Sequence, residues 1–169
     1  MKWLLIITLL TSSYTSFSQD SCSAIVSDVD RITGKQSWSA KEKIIVSADK
    51  NRQGISFYII KHTDHPYIIM VLTGAADKFR CVDKGDKINI LFRDGTKLEM
   101  VNQGNSNCEG RFSLYFGDVF QKIDELNQLI SKPVEAVRMW GRGEFIEENF
   151  TTKNASDLMQ VLSCLKSKW

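Results

Sequence analysis

The chain has 169 residues and a formal charge of +2, with 22 basic and 20 acidic side chains scattered along it. Near neutrality without a basic block argues against nucleic-acid binding by bulk charge. The length suits one domain with its own core, and no Pro- or Ser-rich linker, charge block or internal repeat divides it.

The opening, MKWLLIITLLTSSYTSFSQD, carries one charge, Lys2, before Asp20, and a short apolar run from Trp3 to Leu10. That run falls far short of the roughly 20 residues that cross a bilayer, and Ser16 and Ser18 are small residues at signal-peptidase spacing. We read residues 1–18 as a signal peptide and 19–169 as a single α+β domain, secreted or periplasmic, with no transmembrane segment after signal removal. Gln19, Asp20 and Ser21 do not supply the residues a lipoprotein signal needs before Cys22, so no lipid anchor is expected.

Export places Cys22, Cys81, Cys108 and Cys164 in an oxidising compartment. None forms a C-x-x-C pair, which removes a zinc ribbon or a thioredoxin-type motif. The pairing favoured is Cys81–Cys108, around one hairpin, and Cys22–Cys164, stapling the N-terminal segment to the last helix. DVDRITG (28–34) hints at a calcium loop through Asp28, Asp30 and Gly34. Ile32 and Ser39 stand where ligands should be. A polar turn with Ile32 docked on the core is the better reading.

Strand-like alternation begins at Trp38, with Ile44, Val46 and Ala48 on one side. In GISFYIIKH, Ile55, Phe57 and Ile59 oppose Tyr58 and Ile60. In PYIIMVLTG, Tyr67, Ile69 and Val71 oppose Ile68, Met70 and Leu72. Strands apolar on both sides belong in the middle of a sheet and are usually covered on both faces. Between them lies HTDHPY, which holds both histidines of the chain. His62, Asp64 and His65 are metal-ligand types, but a tight turn splays such neighbours and no third histidine exists, so a hairpin turn is preferred to a metal site.

KINILFRDGTKLEMVNQ predicts a hairpin turning at Asp94-Gly95 in type I′ geometry. NQGNSNCEG is a loop, and RFSLYF is a strand. The period then changes: Val119, Ile123, Leu126 and Ile130 predict a helix over about 118–131, with Asp118 as N-cap and Pro133 as stop. VEAVRMWGRGEFIEENF predicts a second hairpin turning at Gly141-Arg142-Gly143. A C-terminal helix over about 152–167 follows, lined by Ala155, Leu158, Leu162 and Leu165, with Trp169 capping it against the body.

Short connections imply a mostly antiparallel, curved, meander-like sheet with helices on one face; a small β-barrel with a C-terminal helix is the alternative. No nucleophile elbow, P-loop, H-E-x-x-H or dinucleotide fingerprint is present. A dispersed Ser–His–Asp set would have to use a turn histidine. Glu144, Glu147 and Glu148 read as a solvated strand edge rather than an acid–base pair, since neighbours on a strand face opposite ways. Trp140 and Arg142 at a hairpin tip are the candidate ligand or partner surface, with Trp38 and the 103–110 loop as additions. Asn149-Phe150-Thr151 and Asn154-Ala155-Ser156 fit the glycosylation pattern and stay bare in a bacterial host.

Together the DxxTGK stretch from Asp30 to Lys35, KGDKINILFRDG, and the closing hairpin and helix with Cys164 resemble a loose set of uncharacterised small exported bacterial proteins. The resemblance implies export and an α+β fold and transfers no catalytic residue. The expectation is an exported, disulfide-stabilised, non-catalytic binding or structural protein of the envelope or extracellular space, without cofactor. Its partner would be an envelope or extracellular protein. The alternatives are a carrier of a small apolar ligand, or a metal-assisted hydrolase using His62, Asp64 and His65.

Overall fold

The computed structural model describes residues 22–47, 54–75, 79 and 81–169. The expected signal peptide and Ala48 lie outside the described residues. The strands are β1 (Ile25–Val29), β2 (Gln36–Ala40), β3 (Ile44–Val46), β4 (Gly54–His62), β5 (Ile68–Ala75), β6 (Lys87–Phe92), β7 (Lys97–Val101) and β8 (Arg111–Phe116). Helix α1 (Ile123–Ser131) comes next, then β9 (Val134–Trp140), β10 (Phe145–Asn149) and helix α2 (Thr152–Lys166).

The fold is α+β and every strand pairing is antiparallel. The strands divide between two open sheets rather than one. The first runs β1-β2-β4-β5-β8 with β3 also on β4; the second runs β10-β9-β6-β7, and neither closes into the alternative barrel. The run from Trp38 to Val46 is broken because both halves lie along β4. β2 pairs with its far end (Ser39 with Ile60) and β3 with its start (Ile44 with Phe57).

The alternation seen in the sequence decides which side faces the core. Ile55, Phe57 and Ile59 of β4, Ile68, Met70 and Leu72 of β5, and Phe112, Leu114 and Phe116 of β8 are buried. They join Ile88, Ile90, Val137 and Met139 of the second sheet, and Leu126, Leu158 and Leu162 of the helices, in one continuous cluster. Each fully buried side chain of this size contributes about 1.5–3 kcal/mol relative to exposure. Asn102, 1% exposed, ties the two sheets polar-group to polar-group. It follows β7, its amide donates to Asp83 O (2.9 Å), and its Oδ1 accepts from Ser113 N of β8 (3.0 Å).

Several local expectations are corrected. The β6–β7 turn is not type I′. Only Gly95 is left-handed (φ 79°), its N–H donating to Phe92 O, and the loop closes through Phe92 N to Thr96 O. The first helix begins at Ile123, not Asp118. Asp118–Phe120 form a separate 3-10 turn, and left-handed Gln121 (φ 53°) breaks the path between them. Val119 is therefore 67% exposed instead of buried. Ile32 is 95% exposed rather than docked, because its turn is organised by Asp30, whose carboxylate accepts from Ile32 N (2.7 Å) and Thr33 N (2.9 Å). Trp169 is 47% exposed and does not seal α2.

Cys81 and Cys108 are disulfide-bonded, closing the segment that holds the β6–β7 hairpin. The bond sits beside a two-hydrogen-bond bridge between Val82 and Asn107. The expected Cys22–Cys164 bridge is not formed. The two remain neighbouring thiols; burial first, and then a hydrogen bond with Cys22, pushes Cys164 up to about 12.

Candidate functional site

The HTDHPY turn connects β4 to β5, as expected, and His65 N donates to His62 O (3.3 Å). Its ligand-type side chains do not converge. Asp64 is held by Lys35 at 2.5 Å, and this ion pair lowers its pKa. His65 Nε2 is 3.8 Å from Asp64 Oδ1, while the His65 ring stacks on Tyr67 (4.9 Å). The His62 and His65 rings meet edge to face at 5.8 Å. Among the described residues no group of three or more His, Cys, Asp or Glu is placed to hold a metal ion.

The hairpin tip is built differently from the sequence reading. Arg142 makes a two-pronged ion pair with Asp83 (Nε 2.9 Å, Nη2 3.1 Å), and its backbone N–H donates to Cys81 O. This clamp fastens the tip to the disulfide segment and lowers the Asp83 pKa. Trp140 donates Nε1–H to Asn89 (2.7 Å). Trp140 and Phe145 remain 36% and 50% exposed, 5.1 Å apart, with the Arg138 guanidinium over both rings. Trp38 lies in the first sheet, on β2, whereas Trp140 ends β9 of the second sheet and Arg142 lies in the turn after it. The 103–110 loop is pinned by Asn107, whose Oδ1 accepts from Glu109 N and Arg111 N. Among the three glutamates, Glu147 pairs with Arg138 on the exposed side, whereas Glu148 points inward and is 6% exposed, which corrects the solvated-edge reading. The glycosylation-like residues serve α2: Thr151 caps it by accepting from Asn154 N, and Asn154 donates to Ile45 O.

The most extended feature is one that sequence reasoning missed. The face of the first sheet turned away from the core carries apolar residues on four strands, β1, β4, β5 and β8, with Ser39 of β2 between β1 and β4. Cross-strand register aligns Val26, Ser39, Ile60, Ile69 and Tyr115 in one row, and Tyr58, Val71 and Ser113 in another. Val26 and Tyr58 are 43% and 46% exposed; Ile60, Ile69, Val71 and Tyr115 are half-buried. Tyr115 continues into an aromatic string, with Phe120 at 5.3 Å and Tyr67 at 5.7 Å, and Tyr67 in turn meets His65. The sequence signal for this face was the two-sided apolar character of β4 and β5. It predicted cover on both faces, and the described fold covers one.

No helix among the described residues is long and apolar enough to cross a membrane. No protein-family model matches the chain, and no curated protein or solved structure does either.

Proposed function

We propose that the protein is an exported, disulfide-stabilised binding domain that acts without catalysis. Its docking surface is the outer face of the six-stranded sheet, where it meets an envelope or extracellular protein presenting apolar side chains. The observation that carries this reading is the aligned row of Val26, Ile60, Ile69 and Tyr115, with Tyr58 and Val71 beside it. Apolar side chains gathered on one face of a folded surface mark interaction sites, and tyrosines supply large contact area at low entropic cost. A sheet holds these side chains in place before binding, so little ordering remains to oppose association. Supporting export are the short apolar run from Trp3 to Leu10 and the Cys81–Cys108 disulfide.

The test is capture from the host's envelope and extracellular fractions by the wild type and by a Val26→Ser, Tyr58→Ser double variant. Both substitutions are at exposed positions and should change stability by about 0.5 kcal/mol or less each. Capture should fall at least about tenfold, and sedimentation run alongside reports whether the partner is a second copy of the chain. If capture survives in the double variant but is lost in Phe145→Ser, the surface lies on the other sheet. If neither capture nor self-association occurs, the binding reading fails.

A further inference from the structure

A cleft of about 500 Å³ opens at the end of the first sheet, between the HTDHPY turn and the residues that follow α2. Lys61 lines it. This lysine continues the core-facing row of Ile55, Phe57 and Ile59, and at 4% exposed it is buried like them. Its Nζ donates to the carbonyls of His62 (3.3 Å) and His65 (3.1 Å). Among the described residues no carboxylate lies within ion-pair distance of it; Asp64, on the same wall, is occupied by Lys35. An ammonium has three donors, so two carbonyls leave one hydrogen over and supply no formal countercharge. Desolvation accordingly lowers the Lys61 pKa.

Apolar surface lies beside this charge. Trp38 stands directly opposite Lys61 across the β2–β4 pairing, and the half-exposed Trp169 lines the cleft as well. Lys168 adds a second positive charge, while Asp118 on the wall disfavours a dianion. We propose that this cleft binds a small organic monoacid with a flat apolar body. The carboxylate accepts the remaining Lys61 hydrogen bond, and the body lies against the indoles of Trp38 and Trp169. A lysine placed only to tie down the turn would be served by its neutral form, and an acid would gain nothing from it. The inference does not rest on the sheet-face reading, and its failure would leave that reading intact.

The experiment is an NMR titration of the full chain, following the Trp38 and Trp169 indole signals. The probes are benzoate, phenylacetate and indole-3-acetate, each compared with its neutral amide. At least one acid should saturate with Kd below about 10 mM, its amide binding at least about tenfold more weakly, and Lys61→Met should weaken the acid by the same factor. The inference is overturned if no acid saturates in that range, if amides bind as well as acids, or if Lys61→Met binds the acid like the wild type. Should Lys61→Met not fold, the wild type decides. The Lys61 pKa, read from its side-chain resonances, must rise when the acid is bound, and an unchanged value refutes the site.

Discussion

Asp94 organises the β6–β7 turn with one carboxylate. Its Oδ1 accepts from Thr96 Oγ1 (2.5 Å) and Thr96 N (2.9 Å), and its Oδ2 meets Lys132 at 3.0 Å. The Thr96 hydroxyl first, then the Thr96 N–H and Lys132, hold its pKa at about 2, below the ordinary 3.8. A carboxylate depressed on folding stabilises the fold above its unfolded value and loses that contribution as pH falls through its folded value. Thermal unfolding should therefore place wild type above Asp94→Asn at pH 7, with the gap closing between about pH 4 and pH 2. A gap that persists at pH 2 would show that the ionic form is not what matters. Sequence reading found Asp94 as a turn residue but not its partner Lys132, which is distant in the chain. Lys61 left a trace too: it falls in phase with Ile55, Phe57 and Ile59, where another apolar residue is the default. Ile32 and Trp169 misled because large apolar residues are assumed to bury themselves, and exposed ones are in fact common on protein surfaces.

Individual elements were legible wherever a local rule governs them. The 3.6-residue period located α2, and β9–β10 followed from Gly141 and Gly143 between two alternating runs. The start of α1 was missed because it depends on Gln121 adopting a left-handed conformation, which nothing in its side chain demands. The Cys81–Cys108 bond encloses a loop with sequence separation 27. By chain entropy its removal should cost about 3–4 kcal/mol, measurable as a shifted denaturation midpoint in a Cys81→Ser, Cys108→Ser variant. A shift under about 1 kcal/mol would mean that the Val82–Asn107 bridge and the Arg142–Asp83 clamp hold this region without it. The other two cysteines differ in access. Cys22 is half-buried and Cys164 is buried on α2 with its pKa raised to about 12. Brief alkylation of the native protein should label Cys22 and spare Cys164 until denaturant is added. Equal labelling of both would place Cys164 at the surface.

For the whole molecule, the α+β class and the antiparallel pairing followed from short connections between alternating runs. The partition into two sheets did not, since which strand pairs with which is settled by contacts far apart in the chain, such as Leu72 with Phe112 or Ile90 with Val137. Among the described residues, that partition also leaves the far side of β4 and β5 without a covering layer, and the functional reading turns on this. Candidate residues picked for their chemistry, Trp140 and Arg142, turned out to be tied to Asn89 and Asp83, whereas the outward-facing row across the first sheet is set by strand register. Solvent-accessibility footprinting of the captured complex against the free protein locates the contact most directly. Protection should concentrate on Val26, Tyr58, Ile69, Val71 and Tyr115 and leave Trp140 and Phe145 as reactive as before. Protection confined to Trp140 and Phe145, with the first sheet's outer face unchanged, would contradict the proposal.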